Sequence, residues 1–538
     1  MQKKQFKLLI LLFLISQQLF SQFLSTNNGL FTGSLESSTQ RYYSDNQILA
    51  NLPLDAFASN NYMLLNYSSG KFSVGLQYEA YLPPLLGYSP QYKGSGITHK
   101  YVSYQSDFLS FTAGNFYEQF GSGLIFRSYE NRQLGINNSM NGVNIRLKPV
   151  DFFTVKMIYG KQRKYFTESS GLLRGLDADL DIGTMLRFDN GINLRLGASV
   201  INKFEVYTGA DPLFPSSVNA YSGRLDLNLA KFDFSTEYVH KDADPHDLNY
   251  DWFKTGSALL AVFSYTEKGL GMNLSLRRLE NMDTRSERAA IENESMVNYL
   301  PANTKQHKYG LANIYPYNSQ AIGEIGGQYT LFYRLKKGSF LGGKTGTKFN
   351  LNYSLYKSLE TYDLTENEGF RSNFFSFGNE LYYQDFNIEV NKTWSKKLKT
   401  NFGYINQHYN KGQVEGGSHP IVHSNIVFID ALIKLKKKRS ARLELQHLST
   451  AQDMKNWASV LVELNFAPSW TFYASDMYNY GNDNDKIHYY AIGTSFVKNT
   501  HRIELAYVRQ RESLLCVGGV CRQVPAFKGL SLNISSSF

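Results

Sequence analysis

From residue 30 to the end of the chain, apolar and polar side chains alternate in short runs with the two-residue period of β-strands. Phe72, Val74, Leu76, Tyr78, Ala80 and Leu82 share one face, with Ser73, Gly75, Gln77 and Glu79 opposite. Ile192, Leu194, Leu196, Ala198 and Val200 oppose Asn193, Arg195, Gly197 and Ser199 in the same way. Leu225, Leu227 and Leu229 oppose Arg224, Asp226 and Asn228, and Leu270, Met272, Leu274 and Leu276 oppose Gly271, Asn273, Ser275 and Arg277. The pattern runs out in Leu530, Leu532, Ile534 and Phe538 against Ser531, Asn533, Ser535 and Ser537. A strand that ends on its last aromatic finds a partner for its edge when the sheet closes on itself. The alternation therefore predicts an all-β fold, a transmembrane antiparallel β-barrel with apolar positions on lipid and polar positions on the lumen. Phe538 is expected to act as the aromatic signal read by the barrel-insertion machinery.

The connections alternate in length. Tight links fall at Ser69-Gly70, Ser106-Asp107, 148–151, 188–190, 267–269, 467–469 and 498–500. Longer polar stretches lie between them, at 44–57, 83–95, 119–140, 164–171, 205–216, 241–254, 280–323, 358–373, 411–421, 450–456, 480–486 and 511–525. Short turns belong to the periplasmic end of such barrels and long loops to the outside, so twelve long loops with both termini periplasmic give about 24 strands, within a range of roughly 22 to 26. Residues 374–394 read as one long strand with an internal irregularity, because splitting them at Gln384-Asp385 would break the short-long order.

Ahead of the strands, Lys3, Lys4 and Lys7 precede an apolar run from Leu8 to Ile15, and Phe20-Ser21 ends it. This predicts a secretory signal peptide over 1–21 and a barrel over 22–538. The remaining sequence holds no apolar run near the ~18 residues of a spanning helix, and mean hydropathy is below zero. The 38 Tyr, 37 Phe and 42 Gly against 13 Pro suit lipid-facing strands with aromatic girdles. A soluble propeller or sandwich has similar composition, but not a strand ending on Phe538. The formal charge of +10 includes three lysines of segment 1–21, leaving +7. Part of the excess sits in turns such as Lys336-Lys337, Lys396-Lys397 and Lys436 to Arg439. No basic stretch is interleaved with stacking aromatics, which argues against nucleic acid as a partner; outer-membrane lipid and lipopolysaccharide are the expected surroundings.

Barrels of about 16 to 18 strands already leave an aqueous channel, so this one has to enclose a wide hole or fold something inward. Alternation starts at once with Leu30, Thr32, Ser34 and Glu36, so no separate plug domain or energy-coupling box is expected, which disfavours a TonB-dependent transporter. Filling then falls to loops. In residues 115–144, Tyr117, Glu118, Phe120, Gly121, Gly123, Arg127, Glu130 and Arg132 combine apolar bulk, sharp-turning glycines and balanced charge suited to packing on a charged wall; the alternative is an aromatic surface loop. Segment 280–323 is long enough to cap the lumen or to bind a partner. On the wall, Asp177, Asp179 and Asp181 share one face, and parity puts Arg146, Lys148, Lys156, Arg187 and Arg195 on the lumen side. Such a ladder holds barrel shape through cross-strand pairs; a charge-selective constriction is the alternative.

Neither a Gly-x-Ser-x-Gly elbow nor a His-Glu-x-x-His helix stands out, so no enzyme activity, cofactor or metal is expected. His240, Asp242, Asp244, His246 and Asp247 could hold a cation, but their spacing reads as a solvated polar loop. Asp483-Asn484-Asp485 resembles a fragment of a calcium loop without its remaining ligands and reads as a turn. Cys516 and Cys521 flank Val-Gly-Gly-Val in the last long loop. Outside the cell they are expected to form a disulfide worth roughly 2 kcal/mol by loop closure, stiffening a tip that folds in or meets a partner.

Four segments carry a family resemblance: NFYEQFGSGLIFRSYENRQLGINNSMNG (115–142), FGYINQHYN (402–410), DMYNYG (476–481) and LCVGGVCRQVPAFKGLSLNISSSF (515–538). In these the chain resembles an uncharacterised family of outer-membrane barrels from Bacteroidetes, a domain of unknown function with no assigned substrate or reaction. The resemblance implies fold and location. The expected function is a non-enzymatic channel or solute-binding and transport protein whose loops restrict the lumen; the rival is a sealed structural barrel that docks a partner in an envelope secretion or assembly complex.

Overall fold

The alternating segments form one sheet that closes on itself. The computed structural model describes residues 25, 26, 29–188, 191–209 and 213–538; the predicted signal peptide, 1–21, lies outside the described residues. Among them 24 antiparallel strands pair in sequence order, each with the next, and the short strand Ser25–Thr26 adds a fragment beside Leu30. The opening strand Gly29–Tyr43 pairs with the closing strand Phe527–Ser537, from Ser34 opposite Ser537 to Tyr43 opposite Lys528. Phe538 completes the seam by exchanging backbone hydrogen bonds of 3.0 Å with Gly33 in both directions. Its ring lies 6.2 Å from that of Phe31 and covers Gly33, where a side chain would collide with it.

Outward positions are apolar and uncovered, as with Phe72, Val74, Tyr78, Leu176, Leu196, Leu276 and Leu530, whereas their neighbours Gln77, Glu79 and Asp177 are buried on the lumen side. That inversion of a soluble protein's pattern is what a wall between lipid and a filled interior requires. Phe370–Thr393 is one strand, and its register against Thr347–Asp363 slips around Lys357, Leu359 and Thr361.

Two expectations about connections fail. Residues 164–171 are no long loop, because strands Phe153–Lys164 and Thr167–Asp181 leave only Tyr165 and Phe166 between them. Arg163 is drawn into the lumen by paired 2.7 Å hydrogen bonds to Glu79, and Tyr165 takes a left-handed φ of 54° that lets the chain reverse at once. Arg187 is not on a strand. It ends the short helix Ile182–Leu186, which Asp181 caps through the Thr184 amide at 2.8 Å, and it sits in the turn with φ 53°.

The core lies inside the barrel. At the long-loop end, Ile158, Leu173, Ile201, Val239, Ala258 and Leu279 face inward and pack around Phe120, Leu124, Ile125 and Phe126 of loop residues 117–139. A second cluster joins Tyr309, Leu311, Tyr315 and Tyr317 of residues 281–322 to Tyr356, Ile405, Tyr409, Ile426, Phe428 and Leu448 of the wall.

Candidate functional site

The first loop enters the lumen as a small hairpin, Gln119–Phe120 paired with Phe126–Arg127. Gly121 and Gly123 have φ of +53° and +98°, and a side chain on Gly121 would strike Arg224 and Glu237 of the wall. Glycine therefore lets the backbone lie directly on the strands, where the Ser122 amide donates to Glu237 Oε2 at 2.8 Å. Glu118 pairs with Lys156 at 3.2 Å, and Phe120 is completely buried. Arg127 lies over the rings of both Tyr129 and Tyr299, 4.7 and 4.2 Å from their centroids. Glu130 holds Arg132 at 3.1 Å, and Arg132 continues to Glu36 at 2.6 Å across the ring of Tyr62. Tyr117 stacks on His99 at 5.1 Å.

The second loop also enters the lumen. Lys305 reaches Glu389 at 2.5 Å, His307 reaches Asp385 at 2.8 Å, and the Leu311 amide donates to Gln446 at 2.9 Å. Tyr309 packs on Phe428 with ring centroids 3.9 Å apart and accepts from Asn401 at 2.7 Å. The loops hydrogen-bond to each other, Arg127 N to Val297 O and Tyr299 N to Gly123 O, both at 2.9 Å. A third piece joins them: Ser513–Val517 and Val520–Val524 form a hairpin bridged by the Cys516–Cys521 disulfide. Its tip accepts from Tyr299 Oη at Gly518 O, 2.9 Å, and Val520 packs with Leu134, Ile136 and Met296.

The wall charges keep two of the expected cross-strand pairs, Lys156 with Asp177 and Arg195 with Asp181, around a residue outside the expected set. Arg224 is the centre, 2.6 Å from Asp177 and 2.9 Å from Asp179, while Lys156 lies 3.6 Å from Asp177. Arg195 pairs with Asp181 at 3.1 Å and Lys148 with Asp151 at 3.0 Å in the turn. Arg146 lines a cavity of about 570 Å³ with Asp179, Asp181, Arg195 and Asp226. The level of this network divides the lumen: the Asp177 side chain is 1% exposed, those of Asp179 and Arg195 48% and 58%. On this side of the barrel the interior is packed toward the long loops and wet toward the short turns.

The acidic loop at 242–249 is largely buried, with Asp247 exposed. Asp244 forms a buried ion pair with Lys203, His246 lies against Asp283 O at 3.3 Å, and Asn249 donates to Asp244 O at 2.9 Å. Burial pushes His246 down to about 4. Burial would raise Asp283, but the Arg285 guanidinium outweighs it and holds the carboxyl at about 2. Among the described residues no group of three or more His, Cys, Asp or Glu side chains is arranged to hold a metal ion.

Segment 280–323, named by its length as a cap or a partner-binding loop, packs inside the lumen, whereas Arg224 and Lys203 were not legible as site elements. One signal for this packing exists: near the long-loop ends, strands carry apolar residues on both faces, as in Ile158-Tyr159, Leu172-Leu173, Val200-Ile201 and Tyr238-Val239. Continuous apolar runs mark strands covered on two sides.

No curated protein matches the sequence. Among solved structures, the P pilus usher (PapC) translocation pore is similar over 94% of this chain and 99% of that one, with 10% identity and a TM-score of 0.44. The ferric enterobactin receptor PfeA from Pseudomonas aeruginosa covers 94% and 80% at 10% identity and TM-score 0.43. OccAB4 from Acinetobacter baumannii covers 95% and 98% at 7% identity and TM-score 0.35. Residues 1–538 match the model of a family of unknown function (DUF6029), and the chain belongs to that family.

Proposed function

We propose that this chain is an outer-membrane barrel that handles a small solute and is closed to free diffusion at rest by its own loops. The observation that carries this reading is the packing of two long loops as apolar cores inside the wall, with Phe120, Leu124, Phe126 and Leu311 at 0–1% exposure. Solvated surface loops do not bury such side chains. Export through a signal peptide at 1–21, insertion directed by Phe538, a surrounding of lipopolysaccharide and a Bacteroidetes envelope belong to the same proposal, as does the absence of enzymatic chemistry.

The second reading, a sealed structural barrel that docks an envelope partner, draws support from the projecting end of Phe370–Thr393, where Phe375 and Phe377 are 79% and 52% exposed. Single-channel recording of purified, folded protein in planar bilayers tests the plugged state. The expected record is silent, with steady current appearing once residues 119–137 are replaced by a short Gly-Ser linker. A large steady current from the unaltered protein would overturn the reading.

A further inference from the structure

The two infolded loops leave parts of the long-loop half unfilled. Between residues 302–317, the disulfide hairpin and the wall strands Trp470–Asn479, Ile487–Lys498 and His501–Gln510 lies a cavity of about 410 Å³. Its size falls within the ~300–1,000 Å³ of small-molecule sites. Water reaches it, because Gln306 and Gly310 on the loop side are exposed. Gly310 keeps it open: a side chain there would grow toward Met477, whose Sδ would stand 3.5 Å from its Cβ.

The lining combines a tyrosine ring with amides and one uncommitted cation. Tyr489, half-buried with Trp457 stacked on it, provides an aromatic ring, and Gln306 and Gln510 provide amide donors and acceptors. Arg509 is taken by Asp45 at 2.9 Å and Lys305 by Glu389 at 2.5 Å. Arg511 differs. Among the described residues no carboxylate lies within 4.0 Å of it, and its hydrogen bond goes to the Glu512 backbone carbonyl at 3.1 Å. The acids whose fields reach it, Glu415 and Asp453, are engaged by Tyr409 at 2.9 Å and by Lys411 at 2.9 Å.

We propose that this cavity binds a small anionic sugar, with Arg511 receiving the carboxylate or phosphate and the ring of Tyr489 receiving the sugar ring. A planar guanidinium recognises such anions in bidentate fashion, and tyrosine offers a flat apolar body with a polar tip to a pyranose. The proposal rests on the reading of the barrel as a solute-handling protein.

The test titrates detergent-purified full-length protein with glucuronate, glucose 6-phosphate and glucose. Binding is read by saturation-transfer NMR and by the fluorescence of Trp457, whose ring stacks on Tyr489 at 5.8 Å. A saturable response to at least one anion, with glucose at least tenfold weaker, is expected. Arg511→Gln should weaken the anion at least tenfold, Arg511→Lys should retain part of the affinity, and Gly310→Leu should abolish binding by filling the space. No saturable binding of any probe, equal binding of glucose, or an Arg511→Gln affinity within twofold of the parent would overturn the proposal. Bilayer silence of the parent without binding retires this pocket and leaves the plugged barrel standing. Free conduction with Arg511-dependent binding does the reverse.

Discussion

Truncating Phe120 to alanine should unseat the first loop and leave the wall intact. The ring is completely buried, fits over Gly175 and lies 6.0 Å from Lys156 Nζ. Removing such a ring costs about 3–5 kcal/mol, from lost burial and from the cavity left behind. At 1.4 kcal/mol per tenfold, the ratio of released to seated loop rises roughly a hundredfold to several thousandfold. The barrel's hydrogen-bond ladder does not pass through Phe120, whose strand partner among the described residues is Phe126 in the small hairpin. The folded, heat-modifiable species should therefore persist on gels. Single-channel recordings should show brief openings, rare or absent in the parent, and hydrogen exchange should quicken across residues 117–139 while the wall strands stay protected. Phe120→Leu, which keeps much of the volume, should restore most of the silence. Parent-like silence with parent-like exchange in Phe120→Ala would refute the argument that apolar burial seats this loop.

Three further outcomes follow from other parts of the interior. Arg224→Met strips Asp177 of its 2.6 Å partner in a site 1% exposed, which should destabilise the barrel by about 3 kcal/mol, and adding Asp177→Leu should recover part of that; the temperature of heat-modifiability reads both. His246, held near 4 by burial with Asp283, Lys241, Asp244 and Lys203 around it, is neutral when the 242–249 loop is seated and near its ordinary ~6.5 when released. The released form thus binds the extra proton, so the seated loop is at full strength above pH ~6.5 and weakens down to pH ~4, by about 3 kcal/mol. Hydrogen exchange over 242–249, corrected for intrinsic rates, should show this, and His246→Gln should flatten it. Finally, Cys516→Ser with Cys521→Ser should cost the terminal hairpin roughly 2 kcal/mol of local stability, visible as faster exchange over 513–524 with the barrel unchanged.

Strand order, the closing strand and the long-loop pattern were legible because a lipid-facing wall imposes a strict period of two. What lies against the lumen face was less so, because that face accepts polar residues whether it meets water or a packed loop. Asp177 and Glu79 look alike in sequence to Asp179, yet they are buried by segments far away in the chain. The same blindness made the loop of Asp244 and His246 look solvated: its cover comes from Lys203 on the wall and from Asp283 at the start of the second loop. Arg224 was placed on a polar face by parity, but its pairing with Asp177 depends on a cross-strand diagonal that alternation does not encode.

The first infolded loop begins and ends on neighbouring strands, with Phe116 paired directly to Met140. The wall has already brought its two ends together, so seating it carries little of the closure entropy that a free segment would meet. A stopper fastened this way has a local concentration set by its tethers and independent of how much protein is present. It cannot be washed out or exchanged between molecules, and each displacement ends in return to the same pocket. On the plugged-barrel reading, opening by this loop is then a reversible, unimolecular event.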